Sequence, residues 1–502
     1  MIHERHARVG RSSLAGDGLF ANRDIEEGEL IASLPRPLIA VLSLGFTPKT
    51  CGNCFRSTHE PEGLEPVENV NFCTGCKRIK YCSKTCQAQS WKRSHKLECK
   101  IYQARNPPPL PSAVRLALQL VLMKNNRTLT DEESKAIDKM AKNELVLDDG
   151  SDDILMGMDA VYDLLRFDPK SRNVSRGEIE SIFSLMLTNT LTLVHPMMED
   201  IGLALDPFIS KANHSCDPNA IVVFDGCVPS IRSVRPIAKD EEICQSYIDF
   251  TLDRATRQQR LASLYGFKCI CPKCASEDPE APPQIIIDLH KAYERVKAAN
   301  NPTVAIPLLK AILVKAQAHK VPATCQPIPD TYQLLATCSN IAGDYRTSFL
   351  ILIKLFFTID PKLYKKRFFV TRVIHTWTLA LVLNEYSAKY KDLNQPEGFK
   401  NEWGIDDIMI PMFNITNILK KDILRSHGPG RFADVVDKMA SQFHEVLQSG
   451  PQFIGQYIRD DPGNVWLQFE RLKHNKIDLS GAAPSIYEDP AVALGLIAEP
   501  VD

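Results

Sequence analysis

Residues 51–54 read CGNC, and residues 73–99 read CTGCKRIKYCSKTCQAQSWKRSHKLEC. Together they hold eight potential metal ligands in four close pairs: Cys51 with Cys54, Cys73 with Cys76, Cys82 with Cys86, and His95 with Cys99. Two thiolates on one tight turn can reach the same tetrahedral Zn²⁺ ion, at about 2.3 Å each. Eight ligands match two closed zinc sites with no open position for a catalytic water, which predicts structural ions. A disulfide framework would leave the histidine without a role.

The order of these pairs, with Tyr81 directly before Cys82 and Trp91 before His95, resembles a MYND zinc finger. The resemblance implies interleaved ligands: one ion would take Cys51, Cys54, Cys82 and Cys86, and the other Cys73, Cys76, His95 and Cys99. The spacing alone leaves this pairing open. MYND modules usually bind other proteins, often through proline-rich peptides, so the resemblance also implies a partner of that kind.

The composition is that of a globular protein with more than one domain. The 502 residues are 44% hydrophobic and 24% charged, and the length suggests roughly two to four domains. A formal net charge of −1 gives no overall field that would attract nucleic acid or an anionic membrane. The N-terminal sequence MIHERHARVGRSS has no apolar signal-peptide core, and no stretch approaches the roughly 18 uncharged apolar residues of a membrane span. Fifteen cysteines without a signal peptide indicate a reducing compartment. We therefore expect an intracellular monomer of the nucleus or the cytoplasm, without membrane contact.

The finger region is strongly basic. Residues 77–105 carry nine lysines and arginines and one acid, Glu98. Such a patch could hold phosphates or an acidic peptide. It could also be the solvated face of a small finger, where it offsets the charge of the thiolates. Nucleic-acid contact is the weaker of these interpretations.

Strand-like and helix-like segments alternate along the first half of the chain. Short apolar runs at 19–21, 30–34, 220–224 and 242–244 predict strands, and the patterns at 112–124 and 177–194 predict helices. Thr130 and Glu133 have the spacing of a capping box. Residues 148–153, which read DDGSDD, predict an acidic surface loop, and the proline-rich residues 107–111 predict a stiff connector.

Amphipathic patterns dominate after about residue 283, where glycine and cysteine become rare. They predict helices at 284–298, 303–318, 330–343, 346–358, 369–389 and 431–448. Successive helix pairs favour a TPR-like array, although the TPR signature residues are missing at a strict period. Residues 478–502 predict a loose tail.

A second group of chemically informative residues lies between positions 213 and 274. Residues 213–219 read NHSCDPN, residues 240–243 read DEEI, and residues 265–274 read YGFKCICPKC. Cys216 with Cys269, Cys271 and Cys274 makes a third set of four thiolates, again with no open ligand position. An ion in this set would fix the later cysteine segment to the strand-rich region.

At these residues the chain resembles a SET domain and, with the finger placed inside it, a SET-and-MYND (SMYD) protein-lysine methyltransferase. The resemblance covers about residues 8–280 by motif and the C-terminal helices by position and type only. It implies an α+β multidomain protein: a β-rich SET fold split by a MYND zinc finger, a cysteine-rich zinc post-SET segment and an all-α TPR-like C-terminal domain. The implied boundaries are 1–48 for the N-terminal part of SET, 49–100 for the finger, 101–180 for a mostly helical insertion, 181–255 for the SET core, 256–280 for the post-SET segment, 281–477 for the helical domain and 478–502 for the tail.

The same resemblance implies S-adenosylmethionine as the methyl donor, three structural Zn²⁺ ions and a histone or non-histone protein substrate with a target lysine. The glycine turn would let the backbone approach the cofactor, the asparagines and the histidine would hydrogen-bond to it, and Phe267 would flank the adenine. The implied cofactor-binding residues are Gly16, Asp17, Gly18, Asn189, Asn213, His214, Tyr247 and Phe267. The implied catalytic residues are Tyr247, which would orient the amine at the methyl-transfer pore, and Tyr265, which would line the lysine channel.

Three positions depart from the pattern of the family. Asp17 stands where relatives often have a polar neutral residue, so its carboxylate would pair with the cofactor's ammonium or face solvent. Leu191 stands where they commonly place an aromatic of the lysine channel, which leaves the substrate and the degree of methylation open. Asp240 replaces a glycine, which predicts a turn in a conformation that non-glycine residues adopt readily.

Two other interpretations of the chain stay open. The first is a scaffold or transcriptional regulator that keeps the SET fold and the finger but has lost catalysis; the presence of Asn213, His214 and Tyr247 speaks against it. The second is a DNA-binding regulator that uses the basic finger, which would need base-reading elements that the sequence lacks. A zinc hydrolase is disfavoured because all twelve inferred ligands fill closed sites.

Overall fold

The computed structural model describes residues 5–14, 16–61, 63–143, 152–299, 301–392 and 405–448. These residues divide into two compact units. The first, here called the mixed unit, contains the described residues up to Phe250 together with Arg257–Glu277. The second, the helical unit, contains Thr251–Thr256 and the described residues from Asp278 onward. Within the described ranges, no helix is long and apolar enough to cross a membrane.

Short strands form four small sheets in the mixed unit, with the strand orders β1-β2-β12-β9, β10-β11-β3, β4-β8-β7 and β5-β6. The four runs predicted as strands lie in β2, β3, β10 and β12, so these predictions are confirmed. The bounds are β1 (Ala7–Arg11), β2 (Asp17–Ala21), β3 (Leu30–Ser33), β4 (Ile39–Leu42), β5 (Asn71–Phe72), β6 (Lys80–Tyr81), β7 (Leu191–Val194), β8 (Asp200–Leu205), β9 (Asn213–His214), β10 (Ala220–Asp225), β11 (Val228–Ser233) and β12 (Glu242–Gln245).

Strands from both sides of the finger share sheets. β3 precedes the finger and pairs with β11, and β4 also precedes it and pairs with β8. The strand-rich segments before and after the finger are therefore parts of one fold that the finger interrupts.

Strand β12 gathers the sequence motifs because it lies inside the four-stranded sheet. It runs antiparallel to β2, with Ile243 opposite Leu19, and parallel to β9, with Cys244 opposite Asn213. Ile243 and Leu19 are both fully buried, so this pairing is anchored by apolar packing. The N-terminal glycine turn, the NHSC segment and the residues that follow β12 consequently come together.

The turn before β12 differs from the prediction. Asp240 has φ 67°, in the left-handed region that favours glycine, so the prediction of a turn that non-glycine residues adopt readily is wrong. Aspartate is among the few residues that tolerate this conformation, because its short polar side chain can hydrogen-bond nearby. Here the carboxylate accepts a 2.7 Å hydrogen bond from Arg8 on β1.

One helix of the mixed unit, Ser112–Asn125, is buried, and its bounds confirm the predicted 112–124. It packs against the helices Lys96–Arg105, Asp152–Leu165 and Arg176–Asn189. Leu116 and Leu118 have no exposed surface although they lie on opposite sides of it, as expected of a helix that is apolar all round. The other helical segments are Lys84–Ser90, the π-helical turn Trp91–His95, Lys96–Arg105, Asp131–Asp138, Asp152–Leu165, Arg176–Asn189, the single turn Ile209–Lys211, Arg254–Tyr265 and Pro272–Ser276.

The capping box predicted at Thr130 is confirmed. The Thr130 hydroxyl accepts from the backbone N–H of Glu133 at 3.1 Å, and the Glu133 carboxylate accepts from the backbone N–H of Thr130 at 2.8 Å. These two bonds satisfy N–H groups that the first turn of a helix leaves open.

Two predicted elements need correction. The helix predicted over 177–194 ends at Asn189, and Leu191–Val194 is strand β7, because its pairing with β8 prevails over the apolar helical pattern. In the predicted acidic loop, Asp152 and Asp153 form the first turn of the helix Asp152–Leu165, where carboxylates are favoured by the helix dipole. The rest of that loop lies outside the described residues.

The helical unit consists of consecutive helices, each packed against a neighbour along the chain. The helical character predicted after residue 283 is confirmed, although the helix Ile405–Ser426 was missed and the predicted tail 478–502 lies outside the described residues. The bounds are Gln284–Ala299, Pro302–Ala318, Ile328–Ile341, Tyr345–Lys354, the π-helical turn Leu355–Ile359, Asp360–Leu363, Val370–Asp392, Ile405–Ser426 and Arg431–Gln448.

Candidate functional site

The histidine of the NHSC segment is held directly against Tyr247. The parallel pairing of β9 with β12 places His214 opposite Gln245, two residues before the tyrosine. The backbone N–H of Tyr247 donates to Nδ1 of His214 at 3.0 Å, and the two rings lie 5.3 Å apart. Because Nδ1 accepts this bond, a neutral His214 carries its proton on Nε2, which lies 3.2 Å from Sγ of Cys216.

The rings of this pair form a continuous cluster of four with those of Tyr265 and Phe267. Tyr247 and Tyr265 lie 4.9 Å apart, and Phe267 lies 5.9 Å from His214 and 6.4 Å from Tyr265, measured between ring centroids. Gly266 has φ 73°, a conformation that strains other residues, and it allows the rings on either side to reach the same cluster. The structure therefore brings together three aromatic residues that the sequence assigned to the site.

Both tyrosine hydroxyls donate to backbone carbonyls. Tyr247 Oη donates to the carbonyl of Ala212 at 3.1 Å, and Tyr265 Oη donates to the carbonyl of Tyr247 at 3.4 Å. Burial raises the pKa of Tyr247 and also that of Tyr265, so both phenols stay neutral near pH 7. With its proton committed, each oxygen keeps lone pairs that can accept a hydrogen bond.

Asn213 is fixed by a carboxylate that the sequence did not assign to the site. Its Nδ2 donates to Oε1 of Glu242 at 2.7 Å and to the carbonyl of Asp17 at 3.3 Å. The other carboxylate oxygen of Glu242 accepts from the hydroxyl of Ser12 at 2.9 Å. A Cβ on Gly18 would lie 2.3 Å from Oε1 of Glu242, so the glycine leaves room for this arrangement.

Asp17 lies between the two glycines of the glycine turn, and its side chain has a partner within the protein. Its carboxylate lies 3.2 Å from Nζ of Lys211, and its side chain is 37% exposed. From the sequence we expected the Asp17 carboxylate to pair with the cofactor's ammonium or to face solvent. Neither expectation included an ion pair with Lys211. Gly16 has φ 53°, which a glycine adopts without strain.

Two further asparagines, Asn189 and Asn143, have contrasting hydrogen bonding. Asn189, the last residue of its helix, donates through Nδ2 to the carbonyls of Leu185 and Ala141, both at 2.7 Å. The side chain of Asn143 lies against Gly266, where an added Cβ would be 2.5 Å from its Nδ2. That Nδ2 is buried and has no hydrogen-bond partner among the described residues. A buried donor beside Phe267 fits a ligand with acceptor oxygens or ring nitrogens, such as a nucleoside.

Leu191, the residue at the expected position of a channel aromatic, begins β7 opposite Ala204. Its half-buried side chain packs against two apolar clusters of the mixed unit, one of which contains Leu19 and the other Leu193. The position is therefore part of the apolar packing, and the substrate and degree of methylation that it was expected to influence stay predictions.

The inferred metal ligands form three compact groups. Within each group the ligand atoms all lie within 4.8 Å of one another, and the groups are Cys51, Cys54, Cys82 and Cys86; Cys73, Cys76, His95 and Cys99; and Cys216, Cys269, Cys271 and Cys274. The last two groups consist entirely of buried residues. Each set of four thiolate or imidazole donors suits a tetrahedral zinc ion, so all three groups could hold one.

The third group supports the aromatic cluster. Tyr247, Tyr265 and Phe267 pack against the apolar cluster that contains its four cysteines and Leu261. An ion in this group would therefore hold the segment of Tyr265 and Phe267 in place.

Each metal group has a charged neighbour, buried or partly buried, that sequence reasoning missed. Arg257, only 1% exposed, lies 3.6 Å from Sγ of Cys274 in the third group and also bonds to Glu277. Burial lowers the pKa of Arg36, while the thiols of the first group, Cys54 and Cys51 among them, partly offset that effect. Four thiolates around one Zn²⁺ ion carry a net negative charge, so a nearby guanidinium is favourable.

The second group has a carboxylate instead. Glu98 is 1% exposed, and it accepts hydrogen bonds from Tyr102 at 3.2 Å and Gln119 at 3.1 Å besides its contact with His95. Burial opposes ionisation of Glu98, but the hydrogen bond and charge of His95, together with Arg115 and Gln119, outweigh it and hold the pKa of Glu98 below its ordinary value. Glu98 could have been recognised from the sequence, because it follows His95 by one helical turn.

The basic residues of the finger do not form a uniform free surface. Arg78 donates to Asn106 Oδ1 at 2.7 Å and to the carbonyl of Pro107, and Lys80 donates to the carbonyl of Pro48 at 2.6 Å. Arg93 donates to Asn53 Oδ1 at 3.2 Å, and burial lowers the pKa of Arg93 to about 10. These cations serve the finger's own structure.

Comparison with known proteins matches a SET domain model to residues 16–248. SET domain and MYND-type zinc finger protein 6 of Schizosaccharomyces pombe is 32% identical over 266 residues, which are 52% of this chain and 50% of that protein. Histone-lysine N-methyltransferase SMYD3 of Homo sapiens is 28% identical over 270 residues, 53% of this chain and 60% of that protein. N-lysine methyltransferase SMYD2-B of Xenopus laevis is 27% identical over 347 residues, 64% of this chain and 77% of that protein. The chain thus spans only about half of the first relative's length and 60% of the second's.

Proposed function

Because the chain belongs to the SET-and-MYND family, in which related proteins are named lysine methyltransferases, we propose that it is an S-adenosylmethionine-dependent protein-lysine N-methyltransferase. The observation that carries the proposal is the contact of Tyr247 with His214. In this contact His214, which we assign to the cofactor, meets Tyr247, which we assign to the lysine amine. The protein substrate, histone or non-histone, would present a lysine to this site.

Tyr247 is suited to orient a lysine amine. Its hydroxyl proton is donated to the carbonyl of Ala212, so its oxygen can accept an N–H of the amine and direct the nitrogen lone pair. Orientation of this kind can contribute about 7–11 kcal/mol to a reaction between two bound groups. Tyr265, 4.9 Å away between ring centroids, would form the neighbouring wall of the lysine channel.

The aromatic surroundings would also help to provide the neutral amine. A lysine with a pKa near 10.4 is mostly protonated at pH 7, and its deprotonation requires roughly 4–5 kcal/mol. Tyr247, Tyr265 and Phe267 form a wall with little polar surface, and desolvation beside such a wall lowers a lysine pKa. No side chain of this cluster has to act as a strong base.

The residues proposed to hold the cofactor come from three parts of the chain. Asn213 and His214 come from β9, Phe267 from the segment after Gly266, and Asn189 from the end of its helix. Asn143 adds a buried donor that has no hydrogen-bond partner among the residues that the structure describes. Gly16, Asp17 and Gly18 supply backbone near Asn213. When bound, S-adenosylmethionine would supply a methyl group on a sulfonium, and the chain's own residues would bind and orient the reactants.

The three metal groups are proposed to hold structural zinc, with no role in the chemical step. The finger at 49–100 would bind a protein partner, such as a proline-rich peptide, and a weak contact with nucleic acid is a lesser alternative. We keep the predicted domain boundaries and a monomer of the nucleus or the cytoplasm as parts of the proposal.

A scaffold that binds partners through the finger is the alternative function. It would keep the three metal groups and the sheets but would not transfer methyl groups. The hydrogen bond from the Tyr247 hydroxyl to the carbonyl of Ala212 favours the enzyme, because a scaffold has no need for an aligned tyrosine hydroxyl at this position.

Labelled S-adenosylmethionine tests the proposal. The full chain is incubated with histones and separately with a whole-cell lysate, and labelled bands are analysed by mass spectrometry for methyl-lysine. A His214→Ala variant is the control, expected to transfer little, since it loses both a cofactor anchor and the bond to Tyr247. Wild-type protein that binds the cofactor but methylates nothing in the lysate would favour the scaffold.

A further inference from the structure

A cavity with several polar residues in its wall lies entirely within the helical unit. It has a volume of about 190 Å³ and is lined by residues that include Tyr293, Asp330, Gln333, Thr337, Asp360 and His375. Since a water molecule takes about 30 Å³ in the liquid, the cavity has room for a small functional group and its linker. None of the residues assigned to methyl transfer lines it.

Asp360 is the central polar residue of this cavity. It is 1% exposed, and its Oδ2 accepts a hydrogen bond from Nδ1 of His375 at 2.9 Å. Its Oδ1 is buried and has no hydrogen-bond partner among the described residues. A buried carboxylate oxygen without a donor is unfavourable, so its presence at a cavity wall calls for a donor from outside.

Gln333 presents a second acceptor of the same kind. Its Oε1 is also buried and without a hydrogen-bond partner in the described part of the chain. Asp360 and Gln333 come from different helices, Asp360–Leu363 and Ile328–Ile341. Two acceptors without hydrogen-bond partners, on two different helices, favour a ligand that donates several hydrogen bonds.

The charges around the cavity favour a cation. Two carboxylates, Asp330 and Asp360, line it, and no lysine or arginine is among the lining residues. The guanidinium of Arg372 interacts with the charge of Asp360, but its Nη1 donates to the carbonyl of Tyr364 at 3.2 Å. Burial lowers the pKa of Arg372, and the charge of Asp360 offsets this in part. The carboxylate of Asp360 therefore has a cation nearby but no hydrogen bond from it.

Tyr293 does not add a negative charge to the wall of the cavity. Burial, and secondarily the charge of Asp330, raises the pKa of Tyr293. Its phenol consequently stays neutral near pH 7 and can donate or accept a hydrogen bond.

We propose that this cavity binds an organic cation with several N–H donors, an ammonium or guanidinium group, through Asp360 and Gln333. A guanidinium has five N–H donors in a planar fork and an ammonium has three, so either has enough donors for both acceptors. The charge opposes that of Asp330 and Asp360, and the volume limits the ligand to such a group on a short aliphatic chain. The group can come from a basic side chain of a bound peptide or from a free small amine.

Binding by the full chain is measured with three probes. Agmatine represents a free amine, the peptide Gly-Gly-Arg-Gly-Gly represents a basic side chain, and tetramethylammonium is a cation without N–H donors. Calorimetry gives the affinities, and difference density after soaking agmatine into crystals gives the position. We expect agmatine or the peptide to bind and tetramethylammonium to bind at least about tenfold more weakly.

Two variants and a control test the assignment to this cavity. Asp360→Asn keeps the shape and removes the charge, and Gln333→Met removes the second acceptor at a half-buried position; each should weaken binding at least about tenfold. Asp434→Asn, an exposed change on the helix Arg431–Gln448, should leave binding unchanged. If Asp360→Asn does not fold, as judged by circular dichroism, the affinity of Gln333→Met and the position of agmatine in the soaked crystal decide whether the ligand binds in this cavity.

The possible outcomes separate the two sources of the ligand and the proposal itself. Binding of the peptide alone supports a basic side chain, and binding of agmatine alone supports a free amine. The proposal is overturned if neither agmatine nor the peptide binds, or if the variants that fold bind with unchanged affinity. Difference density for agmatine at a different position would also overturn it. Methyl transfer is not measured, so failure here leaves the proposed methyltransferase activity unaffected.

Discussion

The carboxylate of Glu98 lies 2.8 Å from Nδ1 of His95, and both side chains are buried. The other ring nitrogen, Nε2, lies 3.6 Å from Sγ of Cys76, on the side of the second metal group. Glu98 thus fixes which nitrogen of the imidazole faces the ion. Carboxylates in this position orient metal-binding histidines and raise their basicity.

Glu98→Gln should weaken zinc binding by the second group. The amide keeps the size of the side chain but provides a weaker acceptor for the imidazole N–H, and loss of such partners typically lowers metal affinity by about 10–100-fold. Competition with a chromogenic chelator measures the affinity of each zinc. Glu132→Gln, an exposed change on the helix Asp131–Asp138, should behave as wild type. Equal zinc retention by both variants would show that Glu98 only packs.

Purified protein should contain about three zinc ions per chain, and the Cys271→Ser variant about two. Mass spectrometry of the metal content measures both values. The variant should also lose methyl transfer, because Tyr265 and Phe267 pack against the third metal group. A wild-type value of one or none contradicts the assignment of the three groups, and full activity of Cys271→Ser would mean that the third group does not hold the aromatic cluster.

The ligands of the first two metal groups were predictable because they come in close pairs, although their interleaving followed only from the resemblance to a MYND finger. In the third group, Cys269, Cys271 and Cys274 lie close together in the sequence, whereas Cys216 comes much earlier. The strands at β2, β3, β10 and β12 were predictable from short apolar runs. Asn213, His214 and Tyr247 were assigned only through the resemblance to a family, and the structure places them side by side.

Other parts of the site depend on contacts that no local pattern records. Glu242 bonds to Asn213 across two strands, and Arg257 reaches Cys274 from another helix. Asn143 gave no signal, because a single asparagine is usually a turn residue. The backbone at Asp240 was wrongly predicted, because the assumption that a non-glycine residue avoids positive φ ignored the tolerance of aspartate.

Asp240→Gly should raise the melting temperature, and Asp240→Ala should lower it. Glycine adopts φ 67° without strain, whereas alanine has a Cβ and no polar side chain to compensate. The lost ion pair with Arg8 matters little, since both side chains are more than half exposed at 51% and 58%. Thermal unfolding followed by circular dichroism checks the order, and a melting temperature of Asp240→Gly below that of Asp240→Ala would contradict it.

Asn213→Ala should reduce affinity for S-adenosylmethionine by at least about tenfold, on the order of 1.4 kcal/mol. The change removes a proposed cofactor contact and also releases Glu242 and the carbonyl of Asp17 from their bonds to Nδ2. Calorimetry with the purified protein gives the affinity. Asn71→Ala, an exposed change in the finger, is the matched control. Unchanged affinity in Asn213→Ala would limit the NHSC segment to a structural role.

Tyr247→Phe should separate binding from catalysis. The change removes one hydroxyl and its bond to the carbonyl of Ala212 but keeps the ring that packs against Tyr265 and His214. Cofactor affinity should change little, because the backbone N–H of Tyr247 still donates to His214. If the hydroxyl orients the amine only on the way to transfer, the loss should fall on kcat rather than on binding.

We expect kcat of Tyr247→Phe to fall by about 10²-fold or more, which corresponds to roughly 2.7 kcal/mol of transition-state stabilisation. Tyr265→Phe is the matched control, since it removes the neighbouring hydroxyl from the same cluster. The Tyr265 hydroxyl donates to its carbonyl partner at 3.4 Å, whereas the Tyr247 hydroxyl donates to its own at 3.1 Å. We therefore expect Tyr265→Phe to lower kcat less than Tyr247→Phe. Near-normal turnover by Tyr247→Phe together with a large loss in Tyr265→Phe would exchange the proposed roles of the two tyrosines.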